Sequence, residues 1–514
     1  MANADTRDPT VGDAEPGRAG SGLGAERARR QRQVDELRAA GGQPYPYRFD
    51  RTHSAADVRH LGADLGPGEE TDIVVLIGGR VMLKRDAGRL VFLTVADRGT
   101  DVQLFVSKSV VGEERFAAVK SLDRGDWVGA RGTVMTTRTG EISVKVARLE
   151  LLAKAIRPLP DKWHGLADPD IRYRQRYADL AVNSNARRVF EIRHAVLTSF
   201  RATLRERGFV EVETPIFHVE PGGAHARPFV THHNTLDMPL YLRVATELHL
   251  KRLIVGGLDR VFEIGRTFRN EGMDATHNPE FTMMESYQAF GDVSDAIELT
   301  EALIVNAARD AVGTTVIEIA GEPVDLAEPW PRLRMHEAVS AAVGATVHPS
   351  TPVETMRSIA DAHGVRWELS WGSGKVIEEL FEKLCEDDIV RPTFVTGHPI
   401  EVSPLARQDP GDPDVADRFE LFIDRSEYAN GYSELNDPVE QRQRFEAEQA
   451  AKDAGDLERG MVDEDYLRAL EYGMPPTAGL GVGVDRLVML LAGVHNIKDV
   501  ILFPTLRPEP REDL

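Results

Sequence analysis

The sequence is poor in cysteine and has no long apolar run. Cys385 is the single cysteine among 514 residues, which excludes a disulfide scaffold or a cysteine zinc site and suits a reducing cytosol. No stretch of about 18 apolar residues occurs, so we expect no membrane span. The start of the chain lacks the apolar core of a secretory signal, and residues 1–25 have the composition of a disordered tail. These features predict a cytoplasmic protein.

Excess positive charge is also missing. The formal net charge is −21, which argues against a protein that coats nucleic acid. The charge is uneven, because residues 71–158 hold 15 Lys and Arg against 10 Asp and Glu. A mildly basic module in an acidic chain permits a localised contact with nucleic acid.

The basic module has the pattern of a small barrel, which we place at residues 71–156. Five strand-like runs separated by Gly and Asp turns, with a helical pattern after the third, predict an OB-fold, which binds oligonucleotides across strands 2 and 3. On those strands Phe92 and Phe105 can stack on bases and Gln103 can contact a base edge. The residue types alone favour core positions for both rings.

The segments beside the barrel carry less information. Residues 26–70 begin with a helical pattern, whose arginines fit either a solvated face or an RNA-backbone contact. Residues 157–180 are rich in Pro and then in Arg and Tyr, which predicts a linker. Residues 181–514 form the second predicted domain, which opens with an amphipathic helix capped at Gly208. The arginines of the helical pattern in residues 26–70 are Arg27, Arg29, Arg30 and Arg32.

Within the second domain, residues 268–287 read FRNEGMDATHNPEFTMMESY. Alternating flanks around a loop of turn-forming residues predict an antiparallel hairpin. Arg269 lies at the end of the first predicted strand. On the second strand Phe281, Met283, Glu285 and Tyr287 share a face.

Two arginines and two acids suggest phosphate chemistry, with alternatives open. Arg269 and Arg486 lie among apolar residues, where arginines form buried ion pairs or bind phosphate. Arg486 also falls in the first turn of a predicted helix, whose dipole favours anions. Glu420 and Glu427 flank a predicted turn and can hold Mg²⁺, although acidic pairs are common.

Three further acids, Glu247, Glu285 and Glu434, have no obvious cation of their own, and Tyr287 accompanies them. Acids that face one pocket repel each other unless a cation joins them. A diamino substrate would supply two ammonium groups.

Taken together, these motifs resemble those of the class II lysyl-tRNA synthetases over residues 26–508. GFVEVETPIF, with Pro215, resembles motif 1; the hairpin resembles motif 2; GLGVGVDRLVML resembles motif 3. Three further segments are similar to the corresponding segments of the lysine-specific branch of this class: PGGAHARPF, ANGYSELND and PPTAGLG. The resemblance implies an α+β fold, with a class II catalytic domain on an antiparallel sheet and an N-terminal all-β OB-fold barrel that reads the anticodon. It also implies a homodimer with motif 1 at its interface, and lysine, ATP, Mg²⁺ and tRNA(Lys) as ligands.

The resemblance also assigns roles to individual residues. Arg269 would hold the α-phosphate and the lysine carboxylate, and Arg486 the γ-phosphate, which makes these two the catalytic residues. The other assignments are Glu271, His277 and Phe281 for ATP; Gly222, Glu247, Glu285, Tyr287, Asn430 and Glu434 for lysine; Glu420 and Glu427 for Mg²⁺; and Arg85, Phe92, Gln103 and Phe105 for the anticodon.

Three residues depart from the common family pattern without removing a charge. Thr246 replaces a proline, His225 a small residue and Ala429 a glycine. Other readings compete with a lysine enzyme. A catalytically silent, synthetase-like RNA-binding protein would be expected to lack Arg269 or Arg486. Aspartyl or asparaginyl specificity conflicts with an acidic pocket, a lysine-transferring modification enzyme would lack the barrel, and a lipid-lysylating fusion would carry membrane spans.

Overall fold

The computed structural model describes residues 18–160, 166, 168–453 and 460–509. Most of the predicted tail, residues 1–17, lies outside this range. The chain divides into two compact units, residues 1–184 and 185–514. Within the described residues, no helix has the length and apolar character needed to cross a bilayer.

The first unit is built on a closed five-stranded barrel. Its strands are β1 (Glu70–Ala87), β2 (Leu90–Asp97), β3 (Thr100–Ser107), β4 (Trp127–Thr136) and β5 (Ile142–Ala153), and they close in the order β1-β2-β3-β5-β4. Alternate residues such as Val91, Leu93 and Val95 point inward and form the core. Helices lie between the third and fourth strands, so the OB-fold prediction is confirmed. The helices of this unit are α1 (Arg18–Ala39), α2 (Ala55–Leu61), α3 (Lys108–Val111), α4 (Glu113–Lys120), α5 (Pro169–Arg174) and α6 (Arg176–Val182).

Two predictions about the flanks of the barrel need correction. Helix α1 begins at Arg18, so residues 18–25 are helical rather than part of a disordered tail. Helices α5 and α6 occupy much of the segment predicted as a linker. Both are six or seven residues long, too short to show a clear helical period in the sequence.

The arginines of α1 divide between two environments. Arg30 is 5 % exposed and donates to the backbone carbonyls of Arg124 and Ala155. Arg29 pairs with Asp123 at 2.8 Å. These two arginines therefore attach the helix to the barrel, whereas Arg27 and Arg32 are exposed and keep both sequence interpretations.

The second unit contains an eight-stranded, mainly antiparallel sheet. The strands of the whole unit, including those of its smaller sheets, are β6 (Val210–Glu211), β7 (Phe217–His218), β8 (Val230–His233), β9 (Met238–Leu242), β10 (Arg260–Phe268), β11 (Glu280–Ala289), β12 (Val316–Ile319), β13 (Glu322–Asp325), β14 (Arg332–Arg334), β15 (Thr393–Thr396), β16 (Gln408–Asp409), β17 (Asp412–Ala416), β18 (Arg418–Ile423), β19 (Ser426–Ser433) and β20 (Thr477–Gly483). The sheet order is β14-β15-β18-β19-β20-β11-β10-β6, with parallel pairing at both edges.

Helices cover one face of this sheet. The helices of this unit are α7 (Ser184–Glu206), α8 (Glu247–Val255), α9 (Val293–Val312), α10 (Met335–Val343), α11 (Val353–Ala362), α12 (Ser373–Leu384), α13 (Pro438–Asp453), α14 (Glu464–Glu471), α15 (Val484–Ala492) and α16 (Ile497–Val500). Residues of β11, β18 and β20, including Met284, Leu421 and Leu480, pack on the covered face against α7, α9 and α15 in a continuous apolar core.

The predicted local elements of this unit are largely confirmed. Strands β10 and β11 form the expected hairpin in continuous register from Arg260↔Gln288 to Phe268↔Glu280. The motif 1 segment holds only the two-residue strand β6 and the start of β7. Pro215 lies between them, and its ring nitrogen has no hydrogen to donate to a sheet.

Candidate active site

Cross-strand pairing gathers the polar residues on the open face of the sheet. Glu285 pairs with Gly481, Gly481 with Asn430, and Asn430 with Glu420. Paired residues point to the same face of a sheet. One row of side chains therefore crosses four strands, with a bare glycine at its centre.

The next row along the strands repeats this arrangement. Tyr287 and Tyr432 both pair with Gly479, and Arg418 pairs with Tyr432. Because each row contains a glycine of β20, no side chain projects from this strand at either row. We call this glycine surface of β20 the floor of the site. The alternate glycines of the motif 3 segment have this structural explanation.

Two adjoining cavities lie over the floor. The first, which we call the acidic cavity, contains every residue assigned to lysine. The second, which we call the arginine cavity, contains every residue assigned to ATP. Arg269, Glu427 and Asn430 line both. The acidic cavity is lined by Gly222, Glu247, Arg269, Glu285, Tyr287, Asn430 and Glu434, with Glu420 and Glu427; the arginine cavity is lined by Arg269, Glu271, His277, Phe281 and Arg486, again with Glu427.

Among the described residues, the two arginines of the arginine cavity have no carboxylate partner. Arg486 donates to the backbone carbonyl of Glu427 at 2.7 Å, and its other terminal nitrogen lies 3.2 Å from Nε2 of His277. The Arg269 guanidinium carbon lies 5.2 Å from the centre of the Phe281 ring, and its buried Nε finds no partner among the described residues. Buried ion pairs therefore do not account for these arginines, and anion binding is favoured.

The acids assigned to Mg²⁺ also lie together. Burial and the neighbouring carboxylate of Glu420 raise the pKa of Glu427 to about 7. Arg418, which sequence reasoning missed, donates to Oε1 of Glu420. No cluster of three or more metal-binding side chains occurs in the described parts of the chain. A pair of carboxylates fits Mg²⁺ only where phosphate oxygens and water complete its shell.

Two acids of the acidic cavity share a cation that the sequence analysis overlooked. Lys251 is fully buried behind them; its ammonium lies 2.5 Å from Oε1 of Glu247 and forms an ion pair with Oε2 of Glu434. The expectation that these acids lack a cation of their own was wrong. The signal was available, because Lys251 follows Glu247 by four residues on α8, a spacing that places the side chains together.

Two of the three acids, Glu247 and Glu285, accept further hydrogen bonds. The hydroxyl of Tyr432 donates to Oε1 of Glu247 at 2.7 Å. The backbone N–H of Thr246 donates to Oε1 of Glu285 at 3.0 Å, a bond that a proline at this position could not form. The departure from the family pattern at residue 246 therefore adds a contact to the pocket.

Burial and neighbouring charges shift the pKa values of Glu434, Glu285 and Lys251. Desolvation raises the pKa of Glu434 well above its usual range; Lys251 opposes this rise, while Glu247 and Glu285 add to it. Desolvation likewise raises the pKa of Glu285. Although burial works against its charge, Glu247 and Glu434 hold the pKa of Lys251 above its ordinary value.

The other two departures line the cavities. His225 lies 3.0 Å from Glu448 of α13, and both residues line the acidic cavity. Ala429 is buried, packs in the main core and also lines the arginine cavity. Neither of these two departures removes a charged side chain from a cavity.

The residues assigned to the anticodon cluster on the outside of the barrel. Phe92 and Phe105 are directly paired, half-buried, and edge-on with ring centres 5.5 Å apart. The guanidinium of Arg85 lies 4.6 Å from the Phe92 ring, and Gln103 donates to Ser143 at 3.0 Å. The core positions suggested by residue type were wrong for both rings.

Similarity to known proteins identifies the class. Residues 168–507 match the family described as tRNA synthetases class II (D, K and N), and residues 75–152 match an OB-fold nucleic acid binding domain. The chain therefore belongs to the class II tRNA synthetases.

Curated relatives narrow this class. Lysine–tRNA ligase of Synechococcus sp. (strain RCC307) is 49% identical, over 94% of this chain and 96% of its own. The Bacillus subtilis (strain 168) protein of that name is also 49% identical, over 93% and 96%, and the Enterococcus faecalis (strain ATCC 700802 / V583) protein is 48% identical over the same shares. Within its class, the chain belongs to the lysine–tRNA ligase family.

The bare floor makes Gly479 a sensitive position. A Cβ there would lie 1.7 Å from Oε1 of Glu434 and 2.9 Å from Cε1 of Tyr287. We expect Gly479→Ala to displace Glu434 and raise the KM for lysine by roughly tenfold or more, while the KM for ATP stays unchanged. Steady-state kinetics with each substrate varied in turn checks this. An unchanged KM for lysine would show that Glu434 does not contact the substrate.

Proposed function

We propose that this chain activates L-lysine with ATP to form lysyl-adenylate and then transfers the lysyl group to the 3′ end of tRNA(Lys) in the cytoplasm. The observation that carries the proposal is the junction of the two cavities at Arg269. A site that joins an amino acid to a nucleotide must bring both to one point, and an arginine there can bind a carboxylate and a phosphate together.

The first step is an in-line displacement at phosphorus. A carboxylate oxygen of lysine attacks the α-phosphorus of ATP, a new P–O bond forms, and pyrophosphate leaves with the bonding electrons. Arg269 and Arg486 neutralise charge on the α- and γ-phosphates. Glu271 and His277 orient the nucleotide, and Phe281 stacks on adenine.

In the second step, the terminal adenosine hydroxyl of the tRNA attacks the lysyl carbonyl carbon and AMP leaves. No protein nucleophile is required. Positioning and fixed charge account for catalysis, which is consistent with the absence of a Ser, Cys or Thr among the assigned residues.

Magnesium fits the donor set of the site. Glu420 and Glu427 would hold the ion and leave its remaining positions to phosphate oxygens and water. When bound, Mg²⁺ supplies charge neutralisation to the polyphosphate. The raised pKa of Glu427 is consistent with this role, because a divalent cation would relieve the repulsion between the two carboxylates.

The acidic cavity supports lysine as the amino acid. Gly222 and Glu247 bind the α-ammonium, while Glu434 and Tyr287 bind the side-chain ammonium. Aspartate would place a carboxylate against these acids. A pocket built around a polar partner rejects analogues that lack it by roughly 10⁴–10⁵.

ATP–pyrophosphate exchange, with each amino acid offered in turn, tests this proposal. We expect exchange with lysine alone, and its loss when EDTA removes Mg²⁺. Glu434→Gln should raise the KM for lysine by roughly 10- to 100-fold, because it weakens a hydrogen bond to a charged group, and should leave the KM for ATP unchanged. Absence of exchange in folded wild-type protein would favour a catalytically silent RNA-binding protein, and equal effects on both substrates would remove the role of Glu434.

The outer face of the barrel is proposed to bind the anticodon. Phe92 and Phe105 would each stack on a base, and base stacking contributes about 1–3 kcal/mol. We expect Phe92→Ala and Phe105→Ala to raise the KM for tRNA(Lys) by roughly fivefold or more, with normal exchange in the absence of tRNA. Exposed Val110, on helix α3 and outside these strands, provides a control as Val110→Ala. If charging is unchanged in both Phe variants, the anticodon is bound elsewhere.

We also propose a homodimer formed through the motif 1 region. Ile216, Phe217, Val219 and Val230 lie on or beside the β7-β9-β8 sheet and are 44–65 % exposed. Clustered exposed apolar side chains are typical of an interface.

Sedimentation equilibrium tests the dimer. We expect twice the 56.9 kDa mass of the chain, with dissociation in the Phe217→Asp variant because it buries a charge. Leu369→Asp, at an exposed apolar residue outside this region, should remain dimeric. A monomeric wild-type protein at micromolar concentration would contradict the proposal.

A further inference from the structure

We propose that Lys251 is a positioning and specificity-determining residue, whose buried ammonium adjusts the charge of the acidic cavity to match a diamino acid. This inference rests on the proposed function and extends it to a residue outside the assigned lysine-binding set. Its basis is the pair of contacts that Lys251 makes with Glu247 and Glu434.

The position of Lys251 ties it to both ends of the substrate site. Glu247 lies in the first turn of α8 and Glu434 follows β19, so the two acids come from separate elements. The Lys251 side chain, one turn beyond Glu247, forms ion pairs with both acids and so bridges the two elements. The residue lies outside the lining of the acidic cavity, so it acts on the substrate through the two carboxylates.

Lys251 occupies one oxygen of each carboxylate. Its bond to Glu247 falls on Oε1, the atom that also accepts from Tyr432. Its contact with Glu434 falls on Oε2. Oε1 of Glu434 is buried and has no hydrogen-bond partner in the described parts of the chain, and it lies directly over Gly479 in the lining of the acidic cavity. An unpartnered buried oxygen beside a cavity is a ready acceptor for a substrate ammonium.

Charge matching follows from this arrangement. Glu247, Glu285 and Glu434, when ionised, carry three negative charges, and Lys251 reduces the sum to two. Lysine brings two ammonium groups to these acids while its carboxylate lies at Arg269. Without Lys251 one negative charge would remain unbalanced in a buried site, where protonation of a carboxyl is the cheapest relief.

The alternative is that Lys251 only supports the fold. Buried ion pairs often do no more than satisfy each other. The two roles differ in pH dependence, because only the charge-matching role requires the carboxyl pKa values of the cavity to depend on Lys251. The titratable groups that face it are Glu247 on its own helix, Tyr432 and Glu434 from the end of β19, and Tyr466 of α14, with Glu285 and Tyr287 of β11 beyond the two carboxylates.

The experiment measures the KM for lysine in pyrophosphate exchange from about pH 6 to pH 9, using Lys251→Met, Lys251→Gln and Lys251→Arg. We expect the two neutral variants to raise the KM for lysine at least tenfold at neutral pH. We also expect the pH at which lysine affinity is half lost to rise by about one unit or more, since the carboxyl pKa values increase when the cation is removed. The KM for ATP should remain within about twofold of the wild-type value. Lys251→Arg keeps the charge and should keep the wild-type pH profile.

Lys375 offers a matched control. It lies on α12, outside both cavities, and pairs with Glu378 at 2.7 Å and Glu379 at 2.9 Å. Lys375→Met removes a similar doubly paired lysine and should leave the KM for lysine and its pH profile unchanged.

The possible outcomes separate the two proposals. Failure of the wild-type protein to exchange with lysine would overturn the proposed function itself. Wild-type activity with an unshifted pH profile in Lys251→Met and Lys251→Gln would overturn only the role of Lys251. The same conclusion would follow if lysine and ATP affinities fell together, if Lys251→Arg failed to restore the profile, or if neither neutral variant folded.

Discussion

The two-residue period of the central strands is the constraint on which this site depends. In β11, β18, β19 and β20 one face must be apolar, because it packs on α7, α9 and α15. The other face is then free to carry Glu285, Asn430 and Glu420 in one row, and a slip of one residue in register would reverse both faces. Glycines at alternate positions of β20 complete the arrangement by leaving room above the sheet.

Charge gathered in this way has to be balanced locally. Leaving a buried ion without its partner costs about 3–5 kcal/mol, and the two cavities meet this cost differently. At the acidic cavity Lys251, Tyr432 and the backbone of Thr246 provide partners to the carboxylates, and Oε1 of Glu434 is left without one among the described residues. In the arginine cavity Arg269 and Arg486 remain without carboxylate partners in the described part of the chain, so the compensating charge is left to a ligand. The paired acids of one cavity are thus stabilised by the protein itself, whereas the arginines of the neighbouring cavity are left to bind an anion.

Much of this architecture could be predicted from local patterns. Alternation identified the β10–β11 hairpin, and the helix predicted to hold Arg486 in its first turn is α15, because both signals are local. Lys251 was missed because its partner Glu434 is distant in the sequence, although the spacing from Glu247 was visible. Phe92 and Phe105 were placed in the core by residue type, whereas the inward-facing Val91 and Leu93 beside Phe92 would have placed them outside. Helices α5 and α6 are too short for periodicity to reveal.

Arg269 borders both cavities, and this position has a thermodynamic consequence. A charged ligand in either cavity changes the electrostatic field at the Arg269 guanidinium, which lines both cavities. Occupancy of the two cavities is then linked, and linkage is reciprocal. Under the proposed function, whatever factor bound nucleotide applies to the affinity for the amino acid, the amino acid must apply to the affinity for nucleotide. A mutation at the border would therefore act on this coupling free energy as well as on each separate affinity.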